Sequence, residues 1–165
     1  MIKILPVTFI LTISFLIPNA LFAQSSWPLS ENDSLYVKTI QEYIVEHEKR
    51  PYKYIPKNHV QKTLYIDVED WTPNLPNFIS DYKIIIVTPK NRATHYKKNK
   101  NKLLTLSLFP LSIENKTFVI GINEFYSQMK GKSPKYLRIG MWTRTLFTYE
   151  NGKLRYLKSE FGGVY

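Results

Sequence analysis

Residues Tyr136–Tyr156 read YLRIGMWTRTLFTYENGKLRY, and this stretch decides the fold class. Asn151-Gly152 lies between two runs rich in aromatic and branched side chains. Asn-Gly tolerates the positive φ angles that both central positions of a type I′ turn demand, and that turn matches the twist of paired strands. The register follows: Glu150 faces Lys153, Tyr149 faces Leu154 and Phe147 faces Tyr156. Phe147, Tyr149, Leu154 and Tyr156 then share one face, and Glu150–Lys153 is a cross-strand ion pair. Upstream, Leu137, Ile139 and Met141 alternate with Arg138 and Trp142, until Thr143 and Thr145 break the phase. A phase break inside a strand marks a β-bulge, here near Gly140–Thr143. The tail from Phe161 reads as short coil.

Working backwards, more strands appear. Phe118, Ile120 and Ile122 alternate after a turn at Glu114–Lys116, and Leu104, Leu106 and Leu108 alternate with Thr105 and Ser107. Asn123–Pro134 reads as a short helix or a loop. Thr63–Glu69 alternates too, with Leu64, Ile66 and Val68 on one face and Tyr65, Asp67 and Glu69 on the other, the pattern of a half-buried strand. Ile84-Ile85-Ile86-Val87 is an unbroken branched run, which suits a more central strand. Between these two, Pro73 and Pro76 impose a loop.

Ahead of the strands lies one amphipathic helix. Ser30 is placed to cap it, Glu31 and Asp33 suit its first turn, and Pro51 stops it after Lys49 and Arg50. Val37, Ile40 and Ile44 form one apolar row; Tyr36, Ile40, Tyr43 and His47 form the next. Neither a helix stripe nor a sheet face is stable uncovered, so the two must pack together. The expectation is an α+β domain in which an N-terminal amphipathic helix packs on a curved antiparallel sheet of about five to six strands. This element order resembles the cystatin-like and nuclear-transport-factor-like (NTF2-like) architectures, and no functional residue is carried over from that resemblance.

The chain has 165 residues and a formal charge of +10, with no cysteine. Disulfides, zinc-thiolate sites and cysteine nucleophiles are thereby excluded. Lys3 is the only charge in Met1–Ala23; an apolar run, Pro18 and Ala23-Gln24 follow in the order of a secretory signal peptide. Residues 1–23 are expected to be that signal, with an uncleaved anchor as the alternative, and residues 24–165 a single domain exported to the periplasm or beyond. No later stretch approaches membrane-spanning length. The 22 bases and 13 acids of that domain leave +9. The charge is lopsided: Gln24–Tyr82 carries −3, whereas Lys83–Tyr165 carries +12.

That asymmetry points to a surface. Lys90, Arg92, Lys97, Lys98, Lys100 and Lys102 fall within 13 residues that hold no acid, with His95 and Tyr96 interleaved. Read as an exposed hairpin loop, the run suits phosphate-bearing polymers or lipid head groups; its blander reading is a solvated loop. Arg138, Trp142 and Arg144 alternate along one strand and share a face if the bulge does not intervene; Arg and Trp are frequent binding anchors. Export argues against nucleic acid.

Other constellations are weaker. Asp67 and Glu69 project from one strand face about 7 Å apart, a spacing open to calcium or acid–base work but equally to a solvated strand side. His47, His59 and His95 form no metal-ligand pair, and no phosphate loop, dinucleotide fingerprint or serine-nucleophile motif occurs, so no cofactor is implied. Trp27, Tyr52, Tyr54 and Trp71 lie in loops, suited to recognition or to capping the ends of the sheet. The leading expectation is a non-enzymatic exported domain that binds an acidic protein or an anionic polysaccharide or lipid surface. The rivals are a small enzyme, with His47, Asp67 and Glu69 lining a pocket between helix and sheet, and a structural envelope protein.

Overall fold

A computed structural model describes residues 29–50, 62–68, 71, 73–131 and 133–163. The first helix, α1 (Glu31–Glu48), forms as its pattern requires. Ser30 Oγ accepts from the Asp33 N–H at 3.1 Å, which satisfies one of the otherwise open donors of the first turn. Its buried stripe is Leu35, Tyr36, Thr39, Ile40, Tyr43, Ile44 and His47. The helix is not at the N-terminus of the chain: residues 1–30 precede it, and the expected signal peptide lies outside the described residues.

Eight strands follow among the described residues, more than the five to six expected. They are β1 (Thr63–Asp67), β2 (Phe78–Ile79), β3 (Tyr82–Val87), β4 (Lys102–Leu108), β5 (Ser112–Glu114), β6 (Thr117–Lys130), β7 (Ser133–Glu150) and β8 (Lys153–Gly163). They form one open sheet in the order β2-β3-β1-β4-β6-β7-β8, with β5 also on β6. The sheet is mixed rather than antiparallel, because β1 pairs in parallel with both β3 and β4. Parallel neighbours cannot be joined by a tight hairpin; they need a crossover, usually helical. The basic run supplies it as a second helix, α2 (Arg92–Lys98), so the expected hairpin loop is replaced by a helical connection. Asn91 begins the turn into α2: its Oδ1 accepts from the Thr88 N–H at 2.8 Å and its Nδ2 donates to the Ile86 carbonyl at 3.0 Å.

The two helices among the described residues cover opposite faces of the sheet. Under α1 lies the main core, where Ile40, Tyr43 and Ile44 meet Leu64, Ile66, Leu106, Ile120, Ile122 and Phe147. Under α2 lies a small second core of Tyr65, Val87, Tyr96 and Leu103. Strand β1 is therefore central and buried on both faces, against the half-buried expectation, whereas Ile85 and Ile86 of β3 stay partly exposed.

The C-terminal strands follow the turn chemistry. Asn151 and Gly152 have φ of 52° and 79°, and the register pairs Glu150 with Lys153, Tyr149 with Leu154 and Phe147 with Tyr156 as expected. The Asn123–Pro134 segment is not a separate helix or loop. Strand β6 runs through it to Lys130 and turns at Gly131, where φ is 64°. The tail is strand as far as Gly163 rather than coil. Asn123 faces Trp142 while Phe125 faces Ile139, so β7 carries an extra residue beside Gly140 and Met141. A second extra residue, Leu137, lies between the Tyr126–Arg138 and Ser127–Tyr136 pairs.

Candidate functional site

The fold gathers positive charge at one end of the sheet. Helix α2 turns Arg92, Tyr96 and Asn99 toward the strands: Arg92 Nη2 donates to Asp67 Oδ1 at 2.8 Å, the Tyr96 hydroxyl meets Ser127 Oγ at 2.6 Å, and Asn99 Nδ2 donates to the Tyr65 hydroxyl at 3.2 Å. These residues follow one another at helical spacing, so Lys97 and Lys98 fall on the outer side and are exposed. Lys100 and Asn101 then turn the chain with φ of 55° and 61°, and Lys102 opens β4. The Met129 N–H donates to the Asn101 carbonyl at 2.9 Å, which ties this turn to the far end of β6.

That contact brings in Lys130, from the segment expected to be a short helix or a loop, and Lys135 just beyond it. Lys102 faces Gln128, Gln128 faces Lys135, and Lys130 lies two residues further along β6. Paired and alternate positions share a face, so Lys102, Lys130 and Lys135 form one row, and Arg138, opposite Tyr126, continues it. All four side chains are exposed. The signal that finds Lys130 and Lys135 is the extension of β6 through 123–130. Lys90 stands apart, in the turn before α2.

Three expected contact residues are engaged within the protein. Arg92 is mostly buried against Asp67; burial disfavours its charge, but the hydrogen bond and charge of Asp67 outweigh that and hold its pKa up. Arg144 bonds Glu114 and lies 3.7 Å from Glu160. The Trp142 indole lies over Gly162, where an added Cβ would meet its ring at 2.5 Å. Nor do Arg138, Trp142 and Arg144 share a face. The extra residue of β7 intervenes: Arg138 faces the α1 side of the sheet, while Trp142 and Arg144 turn to the α2 side.

Two residues expected of the rival enzyme, His47 and Asp67, are buried. His47 does meet a carboxylate between helix and sheet, but that carboxylate is Glu124. The Tyr43 hydroxyl donates to Glu124 Oε2 at 2.7 Å, Arg50 Nη1 donates to both carboxylate oxygens at 3.2 Å, and His47 Nδ1 lies 3.7 Å from Oε2. Burial raises the Glu124 pKa, but His47, the Arg50 charge and the Tyr43 hydroxyl overcome it and pull it down to about 2. Tyr43, His47 and Glu124 are 0%, 2% and 5% exposed, so the group is sealed from substrate. Gly140 makes room for it: an added Cβ would stand 2.1 Å from Glu124 Oε1. Asp67 is not on a solvated strand side but under α2. Trp71 packs on Tyr36 of α1 with ring centroids 5.1 Å apart and is partly buried against the main core. Glu69, His59, Trp27, Tyr52 and Tyr54 lie outside the described residues.

Among the described residues no helix is long and apolar enough to cross a membrane, and no three His, Asp or Glu side chains converge as metal ligands. No protein family, curated protein or solved structure matches the chain, so its chemistry is read from its own surface.

Proposed function

We propose that this chain is an exported, non-enzymatic binding domain whose basic end engages an anionic envelope polymer or surface. The observation that carries the reading is the convergence of exposed Lys97, Lys98, Lys100, Lys102, Lys130 and Lys135 from three segments onto one end of the sheet. Asp67 of β1 and Glu124 of β6 are buried beside arginines and do not offset that charge at the surface.

The cluster is mostly lysine: Arg138 alone continues the row at the surface, and Arg92 is turned inward. Lysine is a compact, strongly hydrated point charge that binds phosphate without fixing its geometry. It is depleted from protein–protein interfaces, where arginine and aromatic anchors dominate. A repeating anion therefore fits better than an acidic protein. The N-terminal order of Lys3, an apolar run and Ala23-Gln24 supports export.

Charge reversal tests the reading. In K97E/K98E/K100E/K102E the basic end keeps Lys130, Lys135 and Arg138 but loses the four positive charges of α2, its following turn and the start of β4. Retention on immobilised polyphosphate should move to much lower salt, and the dependence of log K on log salt should flatten. The substitutions are on exposed positions, so the melting temperature should hold. Unchanged retention would remove the lysines from the argument.

A further inference from the structure

The outer half of the β6–β7 hairpin combines charge with uncovered apolar surface. Tyr136, Leu137 and Ile139 are 45%, 45% and 55% exposed within four consecutive residues. Their placement follows from the bulges. Ile139 faces Phe125 and Tyr136 faces Ser127, which puts both on the α2 side, where the Tyr136 ring packs 4.8 Å from that of Phe125. Leu137 is the unpaired extra residue between the two faces. On the α1 side of the same strands run Lys130, Lys135 and Arg138. One hairpin thus carries cations on one face and an aromatic and aliphatic strip on the other, with Leu137 between them.

We infer that this hairpin docks the protein onto an anionic lipid bilayer, with Tyr136, Leu137 and Ile139 entering the head-group layer and the lysine row lying along it. The inference rests on the anion-binding reading above and names the surface that carries the anions. Charge complementarity selects lipid over the alternatives. A soluble polyanion would be satisfied by the lysines and leave the apolar strip in water. A second copy of the chain, packed strip to strip, would cover the apolar side and leave the lysine row without a counter-charge. An anionic membrane satisfies both features, because interfacial binding combines buried apolar area with attraction to negative head groups. Tyrosine belongs at that depth, where its ring is apolar and its hydroxyl wet, and long lysine stems reach sideways to the phosphates. The bulge at Leu137 bends the strand at the point of entry, as bulges re-aim side chains at functional edges.

The test is co-sedimentation of the full chain with phosphatidylglycerol-rich vesicles and with neutral phosphatidylcholine vesicles, beside retention on soluble polyphosphate. The apolar segment at 4–23 is common to every variant, so comparisons between variants and between lipid charges cancel it. Wild type should prefer the anionic vesicles, and L137S/I139S should lower that partition about tenfold or more. Polyphosphate retention and melting temperature should stay unchanged, since both side chains are exposed. An undiminished partition of L137S/I139S would overturn the inference. So would a loss of self-association in that variant with no change in vesicle binding. Polyphosphate retention without preference for anionic vesicles would end the membrane inference and leave the anion-binding reading standing; loss of both would end that reading too.

Discussion

The two helices close opposite faces of one sheet, and each side is pinned by an arginine that reaches a buried carboxylate on a strand. On the α1 side Arg50 meets Glu124 of β6; on the α2 side Arg92 meets Asp67 of β1. The surroundings differ. Helix α1 has 18 residues and buries seven of them over the main core. Helix α2 has seven residues and buries one, Tyr96. The two ion pairs are about equally buried, but one lies beside the main core and the other beside the small second core under a seven-residue helix. A buried pair costs most to break where the stranded charge has nowhere to go. The fold thus has a stiff side that carries stability and a lighter side that carries the exposed lysines.

Glu124→Ala tests the stiff side and should have the largest effect. It leaves Tyr43 and Arg50 Nη1 without their acceptor, and Arg50 Nε and Nη2 are already buried without hydrogen-bond partners. The expected loss in urea unfolding is about 3–5 kcal/mol. A loss as small as that of a surface pair would show that Arg50 escapes to water and that the two sides are alike.

Acid should reproduce part of that effect. The Glu124 pKa falls from 4.5 to about 2 on folding, so the folded state favours the ionised form. Its contribution is complete above the unfolded value and is lost as pH drops from about 4.5 toward about 2. A shift of that size corresponds to about 3 kcal/mol at most. Unfolding free energy measured from pH 6 downwards should therefore fall more steeply in wild type than in E124Q. Parallel curves would remove Glu124 as the acid-sensitive group.

The contrast between the sides also sets what the sequence discloses. Helix α1 is legible because its stripe is apolar and its caps are local. The Asn151-Gly152 hairpin is legible because two residues fix its register. Helix α2 is hidden because the residues it turns inward, Arg92, Tyr96 and Asn99, are polar or amphipathic and sit among lysines. Their helical spacing is the one signal that finds them. The parallel pairing of β1 with β3 and β4 leaves no local mark, since each strand shows only its own alternation. The face reversal between Arg138 and Trp142 needs a residue count through a bulge. Glu124 is invisible as a partner of His47, because it lies in a stretch whose strand character comes from pairing with β4 and β7. The basic end was half legible: the run at 90–102 declares itself, whereas Lys130 and Lys135 join it only through that same pairing.

Asp67→Ala tests the lighter side and should have the smallest effect of the three. Removing the carboxylate takes the hydrogen-bond acceptor from Arg92 Nη2. The two guanidinium groups are about equally buried, but Arg92 opens a short helix over the small second core, so freeing it disturbs less packing than freeing Arg50 beside the main core. The expected cost is about 1–3 kcal/mol, and it should be local. The remaining hold on α2 is Tyr96 with Ser127 and Asn99 with Tyr65, a small opening unit compared with the core beneath α1. Hydrogen exchange should speed up in 92–98 and at the start of β4 while the amides of α1 and β6 keep their protection. A uniform loss across both helices would mean that the two sides open together. A local loss would show that the exposed lysines of α2 sit on a lobe that moves independently of the core.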